Sequence, residues 1–356
     1  MDCCTPRHLN DADHPGEANA ILPMFSRRTL LKGAVALSGA ATLAACGFGG
    51  NGRAQIQLAF CSQLLCVVPY EFTNARGHFA DEGLDVELVY SQGGGAALQA
   101  LVGGAVDYAA TSMDAAVQAF AGGGDIRRFA STGRLPLFAL ATSPETADEI
   151  TEVADLAGRT VAVSALGNAD HTILLYLLDQ SATDADEVEI ATIGTNIYDV
   201  LRVGDVDAGM VQEPALTLLQ QDGGGVLTNL MELDDAEEAF GGPYEFMGVS
   251  VRADEIEERT EQMQGLSRAL RHGLEDTRTA PVGELVDALP GELIAGEDRG
   301  QLEDMLETYR ESLYPADVDI DTDAVQRVLD SLEQAGELPS PVTPDDILDL
   351  SILQEA

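Results

Sequence analysis

The 356-residue chain contains one lysine, Lys32, and 18 arginines against 61 acidic side chains, for a formal charge of −42. Beyond residue 45 lysine is absent altogether: 15 arginines face 57 aspartates and glutamates, and the net charge is still −42. No basic stripe exists that could displace counterions from a phosphate backbone, which excludes nucleic acid as a partner. Such a charge repels itself strongly in dilute buffer, whereas in molar salt the screening length falls to about 3 Å. The composition is therefore that of a salt-adapted (halophilic) protein, and it says little about a ligand.

Cysteine and histidine are scarce, at five residues each. Cys61 and Cys66 stand four residues apart with no second pair at metal-ligand spacing, and His78, His171 and His272 are scattered. Neither a metal site nor a cofactor is expected. The cysteine pair is open to two readings, a short-loop disulfide or two buried thiols.

Long apolar runs are also missing. The one candidate, Gly33 to Ala45, is too short for a bilayer, which needs roughly 20 apolar residues. It follows the twin-arginine stretch Ser26-Arg27-Arg28-Thr29-Leu30-Leu31-Lys32 and runs into Leu43-Ala44-Ala45-Cys46, the form of a lipobox. This reads as an export signal whose mature product begins at Cys46 and carries its lipid there. The expected location is the outer face of the cytoplasmic membrane, with stable retention from a two-chain lipid. Residues 1–45 form the leader, Met1 and Met24 both remain as starts, and 46–52 is a Gly-rich linker.

With 45% hydrophobic residues, the remainder is long enough for two cores. Strand and helix signals alternate from Ile56-Gln57-Leu58-Ala59-Phe60 through a helix at 69–80, strand 84–89, helix 93–102, strand 106–109 and helix 112–121. The rhythm restarts near Gly158 with strand 160–163, helix 168–180, strand 188–192, helix 196–203, strand 206–211 and helix 214–221. A strand at 244–251 leads back, and the rest is helical with breaks at Pro281, Pro290, Pro315 and Pro339. The class is α/β, with parallel sheets covered on both faces.

Several stretches in this order resemble substrate-binding proteins of ABC importers in the nitrate/sulfonate/taurine and thiamine-pyrimidine-precursor family. They are Gly77-His78-Phe79 ahead of Glu82-Gly83-Leu84-Asp85-Val86, Gly93-Gly94-Gly95-Ala96 with Gly103-Gly104-Ala105-Val106-Asp107, Asp155-Leu156-Ala157-Gly158-Arg159-Thr160-Val161, and Gly204-Asp205-Val206-Asp207-Ala208-Gly209 running to Gln212-Glu213-Pro214. The likeness covers about 55–255. It implies a type II periplasmic-binding fold: two Rossmann-like lobes, a hinge and a helical C-terminal segment. Lobe one would hold 53–140 plus 250–356, lobe two 141–249, and the hinges would lie near 138–142 and 246–251. It further implies a monomeric receptor that catalyses nothing, closes on a small molecule such as an alkyl sulfonate, taurine or nitrate, and delivers it to an ABC permease. The alternatives are a binder of a thiamine-type pyrimidine precursor, a pyrimidine synthase-like enzyme on the same fold, and a tethered ligand sensor. The enzyme is disfavoured because Cys61-Ser62-Gln63-Leu64-Leu65-Cys66 does not match the iron-binding segment of those synthases.

In open parallel sheets, ligands sit beyond the carboxyl ends of the strands, at helix N-termini whose free N–H groups bind oxygens without a cation. That places Gly94, Gly95 and Ala96 at one terminus, Ser112 at a second, and Asn168 and His171 at a third. Gln63, after the first strand, is a neutral donor. Glu213, ahead of Pro214 at a first helical position, offers a carboxylate suited to an amine, and Tyr244 offers a ring for stacking. Each has an ordinary structural reading: a tight turn for the glycines, capping for Ser112 and His171, hinge packing for Tyr244.

Overall fold

The computed structural model describes residues 53–61 and 63–354, all within the unit Phe48–Ala356. The leader, Cys46 and the linker lie outside the described residues. Strands β1 (Ala54–Cys61), β2 (Leu84–Ser91) and β3 (Tyr108–Ser112) are parallel, and helices α1 (Leu64–Ala75), α2 (His78–Asp81) and α3 (Gly94–Val102) connect them. Helix α4 (Met113–Ala121) then leads to β4 (Ile126–Gly133). Strand β2 is half-buried in alternation, as an edge strand should be, whereas Tyr-Ala-Ala-Thr-Ser of β3 is buried throughout.

A second unit repeats the plan. Strand β5 (Ala139–Thr142) opens it, followed by β6 (Thr160–Val163), α5 (Ala169–Gln180), β7 (Glu189–Thr192), α6 (Ile197–Arg202), β8 (Ala208–Val211), α7 (Ala215–Gln221), β9 (Val226–Asn229) and α8 (Leu233–Phe240). Strand β10 (Met247–Arg252) returns to the first sheet. The sheet orders are β2-β1-β3-β10-β4 and β7-β6-β8-β5-β9. Neither sheet is all-parallel, as the alternating pattern had suggested. Each receives one strand that arrives from the other sheet, β10 or β5, and that strand pairs antiparallel with both neighbours.

The two connections between sheets lie at 134–138 and 241–246 and share only Phe138 and Phe246 with the expected hinges. Residues 139–142 and 247–251 are instead paired within the sheets, as β5 and β10, with register shifts at Leu140/Ala141, Met247/Gly248 and Val249/Ser250. The connections are bonded to each other and to their surroundings: Tyr244 N–H donates to the Arg134 carbonyl (3.0 Å) and Phe246 N–H to that of Gly133 (2.9 Å).

The helix expected at 69–80 is divided and begins earlier. Pro69 lies inside α1 rather than at its start, and Gly77, at φ +82, separates α1 from α2. A proline inside a helix has no N–H for the carbonyl four residues back, here Leu65. Tyr314 hydroxyl supplies the missing donor, at 2.8 Å.

Past β10 come α9 (Ile256–Thr279), α10 (Val282–Ala288), α11 (Arg299–Leu313), α12 (Thr322–Gln334) and α13 (Pro344–Ile347). Helix α9 packs on α1 and α2, burying Leu266, Leu270 and Leu274, each worth roughly 1.5–3 kcal/mol. Its Gly273 meets α1 so closely that an added Cβ would lie 1.7 Å from Thr73 Oγ1. That hydroxyl is held by its bond to the Pro69 carbonyl (2.6 Å) and has little room to yield. Gly273→Ala should therefore destabilise the fold by about 1–3 kcal/mol in urea unfolding; a midpoint equal to the parent's would show that the helices can part without cost.

The C-terminal helices do not keep to the first sheet, where 250–356 was expected. Helix α12, capped by Asp321 on the N–H groups of Asp323 and Ala324, packs against both α4 and α5. Gln334 bonds Gln180 (2.9 Å), and Tyr309 of α11 accepts from Asn229 of β9 (3.0 Å).

Candidate functional site

The carboxyl ends of the parallel strands in both sheets converge on a crevice. One cavity, of about 50 Å³, is walled by Gln63, Gly93, Gly94, Gly95 and Ser112 from the first sheet and by Ser164, Asn168 and Asp170 from the second. A neighbouring cavity of about 250 Å³ shares Gln63, Phe138, Ser164 and Asp170 and extends along Gly194, Thr195 and Tyr198 to Gln212 and Glu213. Phe138 and Phe246, one from each connection, stand edge to face at 6.0 Å between centroids. A groove of about 540 Å³ between α3 and α4 joins the first cavity at Gly95, Ala115 and Asn168.

Most of the expected residues reach this crevice. Gln63 lines both cavities. Its Oε1 accepts from Cys66 Sγ (3.5 Å) and Cys61 Sγ (3.9 Å), which leaves the amide NH₂ as the end for a ligand. Both cysteines are free and buried, so the second of their two readings holds here. Gly93, at φ +90, makes the turn that starts α3 with Gly94 and Gly95 on the cavity wall. Ser112 caps α4, its Oγ accepting from Ala115 N–H (3.3 Å). Asn168, ahead of α5, leaves its helix uncapped and donates to Ser164 Oγ (3.0 Å).

Others do not behave as expected. Ala96 is exposed and off the cavity walls, one residue too far along the helix. His171 turns away: its Nδ1 accepts from Gly167 N–H (3.1 Å) and lies 3.5 Å from Glu337 of the C-terminal segment. Its neighbour Asp170 faces the crevice instead, its carboxylate held by the N–H and hydroxyl of Ser164. Tyr244 is fully buried beneath the crevice and does not line it. Its hydroxyl donates to Asp114 (2.6 Å) and bonds Ser331 of α12 (2.8 Å). Glu213 is on the larger cavity, but both its oxygens accept from Thr217, at 3.1 Å from N–H and 3.0 Å from hydroxyl, so it caps α7. Pro214 precedes that helix by one position, after a cis peptide bond.

Asp170, Ser164 and Gln212 were not singled out from sequence. Gln212 directly precedes Glu213 at the end of β8, which was the available signal. Gln212 is among the residues on the larger cavity, while its Nε2 is shut off from it and has no hydrogen-bond partner.

Neither cavity is lined by an arginine, lysine or histidine. Burial pushes both Asp170 and Glu213 above the usual carboxyl range, against the pull of the Ser164 and Thr217 donors. A cation does lie below the floor. Arg128 is wholly buried, and its guanidinium donates to the carbonyls of two wall residues, Ser112 (3.1 Å) and Phe246 (3.4 Å), as well as to Thr111 carbonyl (3.0 Å) and Ser250 hydroxyl (3.1 Å). Among the described residues no group of three or more His, Cys, Asp and Glu is placed to hold a metal ion, and no helix is long and apolar enough to cross a membrane.

The family model described as NMT1/THI5 like matches residues 67–283. No curated protein sequence matches the chain. Solved structures do. A Bordetella bronchiseptica RB50 protein is similar at TM-score 0.74 and 24% identity, covering 85% of this chain and 96% of that one. The alkanesulfonate-binding protein SsuA from Xanthomonas axonopodis pv. citri, bound to MOPS, reaches 0.64 at 18% identity over 85% and 100%. The periplasmic nitrate-binding protein NrtA from Synechocystis PCC 6803 reaches 0.64 at 15% over 85% and 88%. The fold is thus the periplasmic-binding fold, with two five-stranded sheets and flanking helices. Since the matched stretch spans more than half of its length, the chain belongs to the NMT1/THI5-like family.

Proposed function

We propose that the chain is the extracytoplasmic solute-binding component of an ABC importer, lipid-anchored through Cys46, which captures a small molecule between two lobes and hands it to a permease. The observation that carries this reading is the crevice itself: strand ends and helix N-termini from both sheets supply its walls, so a solute there touches both halves at once. Closure would be driven by those simultaneous contacts. The lobes meet at 134–138 and 241–246, with the C-terminal helices reaching both.

The walls favour one ligand class among those expected. Asp170 and Glu213 are acceptors and no cationic side chain opposes them. A solute presenting N–H groups suits this arrangement better than nitrate or an alkyl sulfonate, which would meet two carboxyl groups. Of the two ligand readings, the amine-bearing pyrimidine type is therefore preferred.

A thermal-shift screen of the chain from Cys46 onward, in molar KCl, tests this. A solute at ~100 times its Kd should add ~2.7 kcal/mol of stability. Aminopyrimidines and small amides or amines should raise the melting temperature, and nitrate and methanesulfonate should not. Stabilisation by the anions alone would reverse the ligand assignment, and a silent screen across all classes would count against a solute receptor.

A further inference from the structure

The larger cavity holds donors and acceptors in an arrangement that narrows the ligand further, provided that the crevice is the solute site. From one side comes the Gln63 amide, whose carbonyl end is held by the two thiols so that its NH₂ remains. From the other come Gln212, whose Nε2 is buried with no hydrogen-bond partner, and the carboxyl groups of Asp170 and Glu213. A buried donor left unmade costs about 1–3 kcal/mol, and folded proteins rarely carry one. Gln212 itself lines the cavity, so a turn of its amide would bring this donor to the wall. An acceptor brought by a ligand would satisfy it.

The remaining walls limit the charge and shape of that ligand. An anion would satisfy Gln63 and Gln212 but would face Asp170 and Glu213 at close range. A cation would satisfy the carboxyl groups and leave both amide donors without acceptors. A neutral group with an acceptor and an N–H side by side answers both sets, and a carboxamide's C=O and N–H are the strongest such pair. Phe138 and Tyr198 both line this cavity, and aromatic walls favour a flat body.

We propose that the solute is an uncharged, flat carboxamide or ureide, whose carbonyl oxygen accepts from the Gln212 side chain and whose N–H donates to Asp170. Gln212 is then the residue that selects a neutral amide over its charged isosteres. Specificity of this kind is strong because a ligand of the wrong type leaves buried polar groups unpaired.

Three nearly isosteric probes separate the possibilities: benzamide, with acceptor and donors; benzoate, with acceptors only; and benzamidinium, with donors only. Isothermal titration in molar KCl should give benzamide a Kd at least about tenfold below either of the others. Gln212→Met, close in volume and without the donor, should weaken benzamide about five- to tenfold, in line with one neutral hydrogen bond. The same variant should leave the ligand-free melting temperature unchanged or raised, because it removes an unsatisfied donor; a structural role for Gln212 would lower it. Gln212→Glu should turn the preference towards benzamidinium. Tighter binding of benzoate or benzamidinium by the parent protein would overturn the proposal, as would variants that keep the parent's ratio. If none of the three binds while another solute from the screen does, the amide assignment falls and the receptor reading stands. If nothing from either set binds, both fall.

Discussion

Arg128→Met should cost roughly 3–5 kcal/mol of stability, the largest loss expected from a single change outside the crevice walls. The guanidinium has no contact with solvent, and five oxygens from three segments accept from it: the carbonyls of Thr111, Ser112 and Phe246 and the hydroxyls of Thr111 and Ser250. Methionine fills most of the volume but donates nothing, so each acceptor loses this donor, while the Phe246 carbonyl keeps one from Met113 N–H and the Ser112 carbonyl one from Thr111 hydroxyl. Two acidic side chains, Asp114 and Glu245, would also lose their shared counter-charge. Burial already draws the Arg128 pKa down to about 10, with Glu245, Tyr70 and Asp114 opposing that pull. Urea unfolding in molar KCl would read the loss; a change below about 1 kcal/mol would mean that water enters and replaces the side chain.

Glu245→Gln should have the opposite sign and depend on pH. The Glu245 carboxyl is buried, one of its oxygens has no partner, and burial pushes its pKa up to about 8 despite Ser131 and Arg128. A folded pKa above the unfolded value means that the native state binds the proton more tightly. Its stabilising contribution is then complete below about pH 4.3 and is lost as pH rises through about 8. The difference corresponds to at most about 5 kcal/mol. Asp114, raised to about 6 by its own burial, adds a loss of the same sign that ends at lower pH. The glutamine variant should match the parent near pH 5 and exceed it by several kcal/mol near pH 9. Lower stability of the glutamine variant at both pH values would place Glu245 in an ionised pair with Arg128.

These two residues also mark where sequence reasoning stopped. Strand β4, Ile-Arg-Arg-Phe-Ala-Ser-Thr-Gly, carries two arginines and three small polar or glycine positions, so nothing in its pattern announces a buried strand. It forms because β10, more than a hundred residues later, pairs with it, and because Arg128 finds oxygens beneath the crevice. Strands β5 and β9 are four residues each and escape for the same reason, long-range antiparallel pairing with too little chain to show a period. The parallel strands were legible because each is followed at once by its own helix.

The site divides in a similar way. Gln63, Gly94, Gly95, Ser112 and Asn168 follow strand ends, and topology alone brings such positions to the crevice. His171 and Asp170 are adjacent on the first turn of α5, about 100° apart around its axis, and only packing decides which faces inward. For His171 the Gly167 N–H, which donates to Nδ1, holds the ring off the cavity walls. Tyr244 lies in a connection rather than in an element, so no periodicity announces that it is buried.

The bonds between the two connecting stretches constrain how the halves can move. Because Tyr244 is laced to Arg134 and Phe246 to Gly133, neither ribbon can slide along the other without breaking both links. Translation of one half across the other would break these links, whereas a swing about the line on which the paired ribbons lie would keep them, as covers turn about the spine of a book.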